Sequence, residues 1–321
     1  MALLILTEVN PIPAFRLVMK RAAFIMLPLS VLFIKYFPEY GRGFDFWSGA
    51  ATNQGITLNK NELGYGCLIF GIFFVGNLLF ASRIEDKKAR RQEILLSLGF
   101  LAMIFWLLKM AQSATSLVTL IIGSAVVIGL GFRFVSKKYF GTTVLTTILV
   151  VGTAELTIGI YAPTLALLGR DASLTDRTEV WTDALNLMDS PLLGTGFESY
   201  WLGGRLKILW AKWWWQPNQA HNGYIETYLN YGAIGVFLLL GLLLGTFRKI
   251  TKKLSSDFDF ARLRMGFLFA IILYNFTEAT FKGLSFVWTM FYLISLDTPR
   301  SPTPSAFTQT TPRKTSEIDT I

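Results

Sequence analysis

The sequence predicts an all-α, polytopic membrane bundle of about eight spans, with a long outer loop that contains short helices. Three observations predict it. Of the 321 residues, 52% are hydrophobic and only 16% are charged, against about 25% charged in soluble domains. Apolar runs long enough to cross a bilayer recur along the chain. Basic residues gather between alternate runs, the pattern that sets orientation in a membrane. Helix is the expected state of each run, because a lone segment in lipid must satisfy its own backbone hydrogen bonds.

The spans fall at about 20–37, 63–82, 94–110, 116–134, 140–161, 222–247, 265–281 and 283–298. Arg16, Lys20 and Arg21 precede the first. "RIEDKKARRQE" follows the second and "RFVSKK" ends the fourth. "RKITKK" and "RLR" lie between the sixth and seventh. Tight turns join the third to the fourth and the seventh to the eighth. All the basic loops then share one side, which the positive-inside rule makes cytoplasmic. Residues 38–62 and 162–221 face out. The net charge of +9 is explained by these loops and requires no nucleic-acid partner. Cys67, the single cysteine, lies in an apolar run and reads as a packing residue. "MALLILTEVNPIPAF" lacks a basic start and a small-residue cleavage site, so no cleavable signal peptide is expected. Residues 1–298 form one membrane domain. The tail, 299–321, is rich in Thr, Ser and Pro and is expected to be disordered and cytoplasmic.

An outer loop of about sixty residues calls for structure of its own. Thr175 or Asp176 can cap a helix whose apolar positions are Val180, Trp181, Ala184, Leu185 and Met188. "DSPLLGTGF" ends it in a turn, where Gly194 and Gly196 permit unusual backbone angles. In the following segment Leu202, Leu206, Leu209 and Trp213 form an apolar face beside Arg205, Lys207 and Lys212. Five of the nine tryptophans fall here. Such a helix suits the bilayer surface, with the tryptophans as an aromatic anchor or as a platform for sugars.

Past this loop the chain resembles a known family. "LLGRDASLTDRTEVW", "SPLLGTGFESY" and "AHNGYIETYLNYGAIGVFLLLG" are similar to the signature region of the O-antigen ligase and polymerase superfamily, above all its exopolysaccharide-polymerisation branch. "GITLNKNELG" resembles the family's upstream Lys-Asn element, and "QSATSLVTLIIG" its Ser-rich element. Many ligases carry an arginine in the latter, where Ala114 and Thr115 stand here. Members usually have about four further spans before the first one here, so the resemblance implies an N-terminally truncated or divergent chain.

The resemblance implies a metal-independent glycosyltransferase of the bacterial inner membrane, with 162–221 as its catalytic loop and no cofactor. It implies transfer of a glycan from undecaprenyl pyrophosphate to a glycan or lipid acceptor, with polysaccharide export or assembly proteins as partners. No metal motif is evident: Asp171, Asp176, Glu179, Asp183 and Asp189 form no compact pair or triad. Cations would then stabilise the departing pyrophosphate. Arg177 corresponds to the family's loop arginine and is, by that resemblance, the expected principal ligand; from the residues alone the reading as a solvated helix-start arginine paired with Asp171 or Asp176 prevails. Arg170, and Lys60 with Asn61 from the other outer loop, are further candidates. His221 is the only histidine. With Asn222 as cap it lies at a helix N-terminus, whose dipole favours a neutral imidazole. It can accept a proton from an attacking hydroxyl or bind the phosphate. Glu226, one turn beyond Asn222, can orient His221 or bind a sugar. Gly232 and Gly235 read as close-packing residues. Two other classes remain open: a solute transporter, for which Glu155 and Glu278 are the intramembrane charges, and a non-catalytic assembly subunit.

Overall fold

The computed structural model describes residues 8, 11–44, 49–133, 135–136, 139–141, 143–144, 177–283 and 285–296. Most of the fifth expected span, Glu155, Arg170, Thr175, Asp176 and the tail lie outside the described residues. Helix dominates. In order come α1 (Pro11–Tyr36), α2 (Lys60–Ala81), α3 (Lys87–Ala111), α4 (Ala114–Gly129), α5 (Arg177–Asn186), α6 (Gly203–Lys212), α7 (Gly223–Lys253), α8 (Phe258–Tyr274) and α9 (Phe286–Ser295). Among the described residues α1, α2, α3 and α7 are long and apolar enough to cross a membrane, while α4 and α9 are shorter apolar helices.

The expectation of an all-α chain needs one correction. The segment between α1 and α2 holds two short strands, β1 (Arg42–Phe44) and β2 (Ala51–Asn53), paired antiparallel with Gly43 opposite Thr52. The hairpin is tied down at two helix ends. The Arg42 Nε donates to the Ile34 carbonyl at 3.1 Å, and the Asn53 amide to that of Met110 at 2.9 Å.

Burial follows sequence pattern. The inward stripe of α1 is Phe15, Met19, Ala23, Leu27 and Ile34, at helical spacing. Helix α2 is apolar all round and is the most enclosed of the long helices. Its start is set by a capping box: Asn59 accepts from the Glu62 amide, and Glu62 reaches back to the Leu58 amide. Helices α4 and α8 cross at Gly123 and Gly266, where a Cβ on Gly266 would stand 2.8 Å from the Gly123 carbonyl oxygen. Small residues let the two backbones approach this closely.

The last two spans differ from expectation. The seventh begins at Phe258, not near 265, because Arg262 and Arg264 are accommodated within it. Arg262 pairs with Asp259 at 2.8 Å, and Arg264 Nε donates to the Ile294 carbonyl at 2.7 Å. It ends at Tyr274, and residues 275–283 lie outside the helix. Helix α9 has ten residues, about 15 Å of a hydrocarbon core about 30 Å thick.

The two ends of the bundle differ in chemistry. At one, Arg83 pairs with Asp259 at 2.5 Å, Lys20 with Glu93, and Arg16 donates to Asn77 at 2.6 Å. The opposite end gathers residues 275–280, His221 and the loop helices α5 and α6.

Candidate active site

Residues 177–221, before α7, form a small packed unit. Val180, Ala184, Tyr200, Trp201, Leu209 and Trp213 form its core. Val180 and Ala184 come from the predicted stripe of α5; Leu185, also predicted, is exposed. The tryptophans serve this core. Trp201 and Trp213 are buried, and their indoles donate to Glu226 and Asp183. Trp181 and Trp210 donate to the carbonyls of Ala220 and Pro217. Trp214 stays 72% exposed. Asp183 also accepts from Lys212 at 2.7 Å, so one carboxylate joins α5 to α6. The Lys212 contact, then that of Trp213, holds this carboxyl below its usual range. Burial pushes the Tyr200 phenol up to about 12, and its hydroxyl donates to the Ala184 carbonyl.

Helix α7 is broken at Gly232, whose φ of 62° is open to glycine. Gly232 was expected to serve packing between helices; it packs instead against the Leu192 backbone, which a Cβ would meet at 2.3 Å, and it also parts the helix. The turn 191–196 enters the gap. Thr195 and Gly196 amides donate to the carbonyls of Leu229 and Asn230. The Ala233 and Ile234 amides donate to those of Pro191 and Leu192. The break thus supplies its own replacement hydrogen bonds. Gly194 and Gly196 take the positive φ expected of them.

Immediately before α7 lies His221, itself at φ 49°, a conformation uncommon outside glycine. Neighbours hold it. The Ala220 amide donates to Glu226 Oε2 at 2.8 Å. Asn222 caps α7, accepting from the Tyr224 and Ile225 amides, and donates to the Phe276 carbonyl. Glu226 is occupied by protein donors: Trp201, Ala220 and Asn230.

The remote elements meet on the turn after α8. The Gly223 amide donates to the Asn275 carbonyl at 2.8 Å. Arg177 Nη1 donates to the Thr277 carbonyl at 2.8 Å. The Thr277 hydroxyl lies 3.3 Å from that of Thr115, in the Ser-rich element. Glu278 stands between two predicted residues: its Oε1 is 3.4 Å from Asn61 Nδ2, and its Oε2 is 3.6 Å from His221 Nδ1. Gln219 Nε2 is 3.5 Å from the same His221 nitrogen.

Two hollows adjoin this turn. One, of about 540 Å³, is the more polar of the two; Asn61, Gln219, Glu278, Thr280 and Lys282 line it beside Tyr65, Phe197 and Tyr274. The other, of about 580 Å³, runs along α7 and α9 and is mostly apolar, with Leu238, Leu242 and Trp288 among its walls. Neither is lined by Arg177, Lys60 or His221. His221 reaches the polar hollow through Glu278 and Gln219. Sequence reasoning missed Thr277, Gln219 and Lys282, and read Glu278 only as a membrane charge. The available signal was the polar run "NFTEAT", hidden inside a span drawn to residue 281.

A helical membrane bundle with a packed loop over a polar hollow is the class these features define. Residues 93–240 match the family model described as O-antigen ligase. The chain is also 28% identical over 256 residues to the exopolysaccharide production protein ExoQ of Rhizobium meliloti (strain 1021), a match covering 73% of this chain and 54% of that protein. The chain thus spans about half the length of this curated relative. Both matches carry the resemblance to the O-antigen ligase family and its exopolysaccharide branch. The family match takes in the Ser-rich element, Arg177 and His221, and leaves out Asn61 and the 275–282 turn.

Proposed function

We propose that this protein is a membrane glycosyltransferase that polymerises or ligates polysaccharide from an undecaprenyl-pyrophosphate-linked glycan on the outer face of the bacterial inner membrane. One observation carries the reading: Asn61, Arg177 and His221, remote in sequence, converge on Thr277 and Glu278 beside a polar hollow that adjoins an apolar one. A lipid-linked sugar has that same division of polar head and apolar tail.

In the proposed step an acceptor hydroxyl oxygen bonds to the donor sugar's anomeric carbon. The bond from that carbon to the phosphate oxygen breaks, and the prenyl pyrophosphate leaves with the electron pair. The hydroxyl proton passes to the Glu278–His221 pair. Glu278 faces the hollow, and His221 stands behind it to take the proton or to hold the carboxylate. Arg177 secures the Thr277 carbonyl and places positive charge beside the site; Asn61 holds Glu278 from the other side. Asn222 and Glu226 keep the His221 turn in place. Arg170 and Lys60 remain proposed donor contacts. Glu278, the described residue behind the transport reading, lies in the turn after α8 and not within a helix.

Replacing the chromosomal copy with His221→Ala tests this reading in the cell. Shortened or absent polysaccharide, with the protein still inserted, is the expected result. Unchanged glycan with impaired solute uptake would favour transport instead.

A further inference from the structure

The polar and apolar hollows meet at Lys282, and we infer that its ammonium is the diphosphate contact of a lipid-linked donor. The inference deepens the proposed function and rests on it. A prenyl-diphosphate sugar is an apolar chain, then a diphosphate, then a sugar. Seated with its chain in one hollow and its sugar in the other, it must put the diphosphate where they join. Phe197, Glu198, Lys282 and Gly283 line both. Lys282 is the cation among these four.

Among the described residues no other Lys or Arg lines either hollow. Arg177 donates to a backbone carbonyl and lines neither hollow. Arg205 pairs with Asp189, and Lys212 with Asp183. Lys282 Nζ donates to the neutral Gln219 Oε1 at 3.2 Å, and among the described residues it has no ion pair with a carboxylate. A neutral amide holds an ammonium in place without cancelling its charge. Glu198 and Glu278 also line the polar hollow, so a diphosphate entering there meets two carboxylates and needs this cation to offset them.

The test uses the full chain in nanodiscs of zwitterionic lipid, with tryptophan fluorescence reporting binding. Undecaprenyl pyrophosphate and undecaprenol are titrated in parallel. Wild-type protein should prefer the diphosphate. Lys282→Met and Lys282→Gln should each lose that preference by about tenfold or more, the scale of a hydrogen bond to a charged group, while binding undecaprenol normally. Lys282→Arg should keep most of it. Retained preference in Lys282→Met and Lys282→Gln would overturn the assignment to Lys282 and leave the proposed function standing. Loss of undecaprenol binding in both would make the residue structural and overturn it too. No preference in the wild type would instead count against the lipid-pyrophosphate donor itself.

Discussion

Glu226→Gln tests whether the loop holds His221 for chemistry. The native carboxylate has two acceptor oxygens. Oε2 takes the Ala220 amide at 2.8 Å and the Trp201 indole at 3.0 Å; Oε1 takes the same indole at 2.9 Å and Asn230 Nδ2 at 3.2 Å. Glutamine offers one oxygen. If that oxygen replaces Oε2, its NH2 group faces two donors, and the Asn230 amide loses its side-chain acceptor. If it replaces Oε1, the Ala220 amide is stranded. Ala220 and Trp201 are buried, so water cannot readily substitute. One lost hydrogen bond to a charged group costs about 1.5–3 kcal/mol. At about 1.4 kcal/mol per tenfold, the rate should fall about 10- to 150-fold if the loss acts on the His221 turn. Initial rates of glycan transfer measure it. Trp201 emission, shifted red as its pocket loosens, provides an independent readout. Wild-type rate and emission in Glu226→Gln would refute the claim that this carboxylate positions His221.

Arg177→Ala should abolish transfer without loss of insertion, and Arg177→Lys should rescue poorly, since an ammonium is a point donor where the guanidinium is a planar fork; full rescue would reduce its role to charge. Gly232→Ala should impair folding of the loop, because the new Cβ would lie 2.3 Å from the Leu192 backbone at a positive φ; limited proteolysis near residues 187–199 reads the outcome, and wild-type resistance would count against the interlocked turn. Asp183 supplies the pH dependence. Its folded pKa is depressed, so its contribution to stability is present above the ordinary carboxyl range, about pH 3.9, and is lost as pH falls through the folded value. Tryptophan fluorescence should show the loop loosening on acidification, and Asp183→Asn should remove that component.

What the sequence made legible was local. The period of α5 appears as the buried pair Val180 and Ala184, and Asn222 caps α7 with its own side chain. The rest depends on long-range contacts. Arg262 and Arg264 look like loop residues until Asp259 and a carbonyl of the next helix satisfy them, and that misplacement hid the turn at 275–283. A glycine inside an apolar helix reads the same whether it admits a neighbour or breaks the backbone; only the 191–196 turn shows that Gly232 does both. The tryptophan cluster gives no sign of its core role because two of its partners, Asp183 and Glu226, are distant in sequence. Strands of three residues carry too little pattern to announce a hairpin.

The most direct measurement supplies the purified, reconstituted chain with a defined undecaprenyl-pyrophosphate oligosaccharide and an acceptor glycan, then weighs the products. The account predicts acceptor masses raised by whole oligosaccharide units, an equal amount of undecaprenyl pyrophosphate released, and a rate reduced about 10²–10⁴-fold in His221→Ala. Acceptor that gains no mass, or an unaltered rate in His221→Ala, would contradict it.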